Sequence, residues 1–62
     1  MDIPLLHHLA HVYGFSLQHH GGHGWLCADR GKRSLMSLGF DPSRACVRLL
    51  AIAAALGRGA VA

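Results

Sequence analysis

Two short glycine turns, Gly21-Gly22 and Arg30-Gly31-Lys32, govern the middle of this 62-residue chain. They separate three runs of strand-like composition: Phe15 to His20, Gly24 to Asp29 and Arg33 to Phe40. Parallel strands need a long crossover, whereas loops this short close only hairpins, so the runs are expected to pair antiparallel in chain order. Alternation along them predicts Phe15 and Leu17, Trp25 and Cys27, and Met36, Leu38 and Phe40 on the core face. The parity of the second strand is open to a shift of one residue.

A helix is expected on each side of this meander. Asp2 is placed to cap the first, Pro4 fits its opening turn and Gly14 stops it, which predicts a helix over 3–13. Leu5, Leu6, Leu9, Val12 and Tyr13 fall on one arc of it, and His7, His8 and His11 on the other. Asp41-Pro42-Ser43-Arg44 opens the second helix, predicted over 42–57, with Gly57-Arg58-Gly59 as its end and 60–62 fraying. Ala45, Leu49, Ile52, Ala53 and Leu56 share one side of it. Arg44, Arg48 and Arg58 line the other, with only Ala51 and Ala55 between them. The expected fold is therefore α+β, in the order αβββα, with 1–62 as one small domain: helix 3–13, meander 15–40 and helix 42–57.

A chain of this length hides only about 60% of the surface its unfolded form exposes. Yet 52% of its residues are hydrophobic and 15% charged, more apolar surface than so small a core absorbs. Contact with a partner follows as the expectation, either a homodimer closing one self-complementary patch or a foreign protein. The net charge of +3 with histidines neutral favours nucleic acid or acidic proteins without choosing between them. No apolar run approaches the ~18 residues of a membrane span, so no membrane association is expected. Met1-Asp2-Ile3-Pro4 lacks the cationic opening of a signal peptide, and Cys27 and Cys46 are too few for a disulfide framework. A cytoplasmic location is expected, with one bond between the two cysteines left open.

The residues that most invite chemistry are the six histidines. His7 and His11 stand one helical turn apart, and His19, His20 and His23 with Cys27 supply further nitrogen and sulfur. Zinc patterns pair such ligands at fixed distances that are absent here, so no metal or cofactor is expected. A histidine-dependent, metal-stabilised domain is the least favoured of three readings. For nucleophilic catalysis only a cysteine with a histidine is available, and Cys46 falls on the buried side of its helix. Asp2, Asp29 and Asp41 are dispersed over caps and turns, there are no glutamates, and the glycine-rich stretch lies between strands rather than before a helix. An enzyme is not expected.

Binding is the remaining class. Arg30, Lys32 and Arg33 at the second turn, and Arg44, Arg48 and Arg58 at the second helix, are the candidate contact residues. From Trp25 to Ala54 the tryptophan strand, Gly31-Lys32-Arg33 turn, Leu38-Gly39-Phe40-Asp41 and alanine-rich helix resemble, in order, the sheet-plus-helix DNA-binding domains of plant ethylene-response factors and integrase arms. That resemblance implies DNA reading by arginines and aromatics on the sheet, where this chain carries Ser16, Gln18, Leu26, Ala28 and Ser34. The first expectation is a non-enzymatic protein acting by stoichiometric contact with a larger protein or protein–nucleic acid complex. Small, basic, apolar-rich chains of this kind match, by analogy, phage or mobile-element inhibitors of host defence. The alternative is a small basic DNA-binding regulator, with a homodimer possible in either case.

Overall fold

A computed structural model describes residues 2–32 and 34–58. The elements run α1 (Ile3–Tyr13), β1 (Phe15–His20), β2 (Gly24–Asp29), β3 (Leu35–Gly39) and α2 (Pro42–Ala55). This is the predicted αβββα order, a three-stranded antiparallel meander with strand order β1-β2-β3. Both helices pack on one face of the sheet, α1 against β1 and α2 chiefly against β3.

Each helix is bounded by its local chemistry. The Asp41 carboxylate accepts the Ser43 N–H at 3.1 Å, capping α2, while Pro42 occupies a position whose N–H needs no helical partner. At the far end Leu56, Gly57 and Arg58 donate backbone N–H groups to Ile52, Ala54 and Ala53. That closure ends α2 at Ala55, short of the predicted 57. Asp2, expected to cap α1, makes no side-chain cap. Its carboxylate instead accepts the Ser43 hydroxyl, and the Cys46 thiol lies 3.7 Å from its carbonyl. The starts of the two helices are thereby joined. Their ends meet too, through Arg58 and the Tyr13 carbonyl, so the helices lie side by side and run in the same direction.

In the sheet, Phe15 pairs with Asp29, Leu17 with Cys27 and Cys27 with Met36. The second strand therefore carries Trp25 and Cys27 inward, as predicted. Its pairing with β3 shifts beside Trp25: Leu26 opposes Ser37 but Trp25 opposes Gly39, leaving Leu38 as an extra residue. This is a β-bulge. Gly24 makes the close approach there possible, because it sits at φ 73° and a Cβ on it would stand 2.5 Å from the Gly39 carbonyl oxygen.

Leu6, Leu38, Leu49 and Cys27 fill the centre, with Phe15, Trp25, Ala10, Ala45, Cys46 and Ala53 around them. Several inward residues differ from expectation. Phe40 is 66% exposed, because the bulge and strand end spend the last inward place on Leu38 and Phe40 falls in the turn to α2. Leu5 and Val12 are also exposed: α1 buries only Leu6 and Ala10, with Leu9 and Tyr13 packed at the margin, a stripe narrower than the arc predicted. Leu56, placed on the buried side of α2, lies beyond its end and is exposed. The third strand is shorter than the predicted 33–40, and Arg33 lies outside the described residues. On the uncovered sheet face Ser16, Gln18, His20 and Ser37 meet solvent, while Ala28 is shielded in the central strand.

Candidate interaction surface

Arg44, Val47, Arg48 and Ala51 follow one another at helical spacings of three, one and three, so they share the face of α2 turned away from α1. Opposite them stand Leu38 to Phe40, the end of β3 and the turn that follows. Between these two walls runs an open groove of about 640 Å³. Its apolar surface comes chiefly from Phe40, Val47 and Ala51, over the buried Leu38, and its charge from Asp41, Arg44 and Arg48. Val47 is 69% exposed. With Phe40, it sets two large apolar side chains in water beside two guanidinium groups.

Electrostatics at the groove are one-sided. The Arg44 side chain is 90% exposed and lies 4.0 Å from Asp41 across the first turn of α2, a solvated pair that contributes little to stability. Arg48 is exposed and makes no ion pair among the described residues. Two guanidinium groups against the one Asp41 carboxylate, which also holds the Ser43 N–H, leave the groove lining net positive.

The other predicted contact residues do not converge on it. Arg58 leaves the helix altogether. Its Nη2 donates to Asp29 Oδ2 at 2.8 Å, its Nη1 lies 2.8 Å from Oδ1 and donates to the Tyr13 carbonyl at 3.2 Å, and the guanidinium rests 5.3 Å from the centre of the Phe15 ring. The hydrogen bond from Arg58 holds the Asp29 carboxyl below its ordinary value near 3.8, and the reciprocal bond raises Arg58. Arg58 therefore clasps the end of α2 to β2 and α1. Arg30 lies at the same end, its Nη2 donating to His11 Nδ1 at 3.4 Å and its backbone N–H to the Gly14 carbonyl at 3.1 Å. Lys32 is exposed beside it, its N–H bonded to the Asp29 carbonyl at 2.9 Å. The two basic clusters thus occupy opposite ends of the domain.

The histidines spread over α1, β1 and the first turn. His7 meets Trp25 edge-on with centroids 5.9 Å apart, and His19 lies tilted over it at 4.5 Å. Trp25 is 7% exposed and belongs to the core. Among the described residues no three histidine, cysteine or acidic side chains gather as a metal ion would require. Cys27 and Cys46 are free, buried thiols. Burial pushes both up from the ordinary cysteine value, and the Asp2 charge adds to the effect on Cys46. Neither has the lowered pKa of an activated nucleophile. Among the described residues no helix is long and apolar enough to cross a membrane.

Phe40 lines the groove, whereas sequence reasoning assigns it to the core. Val47 carried a legible signal, since it lies three residues after Arg44 and one before Arg48, flanking their stripe on the exposed side of the helix. No known protein family, no curated protein and no solved structure matches the chain.

Proposed function

We propose that this is a non-enzymatic binding protein, which docks through the Phe40–α2 groove onto an acidic segment of a larger protein or protein–nucleic acid complex and blocks the surface it covers. The observation that carries this reading is the exposure of Phe40 and Val47 beside Arg44 and Arg48. An exposed aromatic ring beside arginines is the composition enriched at interface centres, with cations selecting the sign of the partner.

Two features favour a foreign acidic protein over the other candidates. On a second copy Asp29 is held by Arg58, and Asp2 and Asp41 are held by Ser43 at the start of α2, so among the described residues no acidic side chain is without a hydrogen-bond partner. Duplex DNA has little use for the apolar floor of the groove, and Arg30 and Lys32 lie at the other end of the molecule. Replacing Arg44 and Arg48 together by glutamate is expected to abolish partner capture while leaving the melting temperature within a few degrees of wild type, because both side chains are exposed. Equal recovery of the same stoichiometric complex on wild-type and R44E/R48E baits would refute the assignment. A duplex-DNA mobility shift that weakens with salt by a slope near ~0.9 per phosphate would replace it with the DNA-binding reading.

A further inference from the structure

Resting on the groove reading, we infer that the groove receives its partner as an extended strand, which pairs with the outer edge of β3 and presents acidic side chains at alternate positions to Arg44 and Arg48. β3 is the last strand of the sheet, and among the described residues its outer edge carries no backbone partner. One wall of the groove is the chain at that edge, from Leu38 to Phe40, and the other is the α2 face bearing Arg44 and Arg48. Two residues, Phe40 and Asp41, separate β3 from α2, and Leu38 and Gly39 line the groove beside α2, so the groove meets the open edge at the end of β3.

The spacing agrees. Arg44 and Arg48 are four residues apart, about 6 Å along the helix axis. Side chains on one face of a strand recur every second residue, at about 6.6 Å. Two acidic residues at i and i+2 of an added strand therefore reach the two guanidinium groups together, without bending the strand. Main-chain hydrogen bonds to β3 supply affinity irrespective of sequence, and the alternate side chains supply the selection. Val47 and Ala51, also on this face, shelter apolar parts of the strand, and the exposed ring of Phe40 closes the end nearest the start of α2. A partner helix has no use for the open edge, because its backbone donors and acceptors are already spent internally.

The test uses the full chain and a synthetic capped peptide of alternating glutamate and valine, together with two backbone-methylated forms of it. In an extended strand the N–H groups of alternate residues point to opposite edges, so methylating the glutamate nitrogens blocks one edge and methylating the valine nitrogens the other. One methylated form is expected to lose at least about tenfold in affinity while the other retains binding. The amides of Leu35 to Gly39 should gain protection from hydrogen exchange in the complex, and a lysine–valine peptide should not bind. Equal tolerance of both methylations, protection confined to α2, or no binding at about 1 mM peptide would overturn strand addition. If R44E/R48E still loses its natural partner in those cases, the groove reading survives without the strand. If that variant keeps its partner, the groove reading itself falls.

Discussion

Replacing Gly24 by alanine probes the tightest backbone approach in the fold. Two separate penalties meet there. At φ 73° an L residue sits in the left-handed region, which costs about 1–2 kcal/mol. The added methyl would also stand 2.5 Å from the Gly39 oxygen and 2.9 Å from its carbonyl carbon. Those are backbone atoms fixed by the β2–β3 pairing, so relief requires the bulge to shift, a rearrangement of about 1–3 kcal/mol. Alanine restricts the unfolded chain and returns about 0.4–1 kcal/mol. The expected net loss is about 3 kcal/mol, a large share of the stability of a domain this small, and a fall in melting temperature of roughly 20 °C. Gly31 is the internal control, because it has a similar φ of 85° and nothing within 4 Å of the added carbon. Gly31→Ala should cost only the conformational part, about 1 kcal/mol. Urea denaturation followed by the fluorescence of Trp25, the single tryptophan, reads both variants. A difference between them below about 0.5 kcal/mol would refute the role assigned to the Gly39 carbonyl, since surface changes alone stay within that margin.

Leu38→Ala is expected to cost about 2–5 kcal/mol in the same assay, whereas Phe40→Ala should stay within about 0.5 kcal/mol; the reverse order would restore Phe40 to the core. Asp29 has a folded pKa held below its unfolded value, so its contribution is present above the ordinary carboxylate range and is lost as pH falls from about 5 toward 2. Asp29→Asn should flatten the acid side of a plot of melting temperature against pH, and an unchanged acid limb would deny the Arg58 clasp. Both thiols should react with an aromatic disulfide reagent at pH 8 only as fast as the protein opens, accelerating with urea; prompt reaction of either in the native state would contradict its burial.

Much of the architecture was legible from punctuation. The glycine turns and the Asp41-Pro42 start fixed element order and strand pairing, because loop length leaves few topologies. What escaped were features that depend on contacts distant in sequence. Nothing local announces a bulge beside Trp25, and the bulge is what moves Phe40 out of the interior. Asp2 satisfies every local criterion for a cap, but Ser43 lies 41 positions away and takes its carboxylate. Helical periodicity put Arg58 in line with Arg44 and Arg48, yet α2 ends three residues earlier, and the side chain turns toward Asp29. The two arginines of the stripe that remain on it, Arg44 and Arg48, were readable because their placement depends only on the geometry of one helix.

The shared direction of α1 and α2 polarises the molecule from end to end. Each helix behaves as though about half a positive charge sat at its N-terminus and half a negative charge at its C-terminus. Antiparallel neighbours would cancel these fields, but here they add, and the carboxylates of Asp2 and Asp41 stand at the two N-termini, where negative charge is favoured. The positive pole falls where α2 begins, at the mouth where Phe40 and Arg44 stand, and the negative pole falls where Arg58 grips the Tyr13 carbonyl. The peptide dipoles therefore favour Asp2 and Asp41 at one end of the molecule and Arg58 at the other, each charge facing the pole of opposite sign.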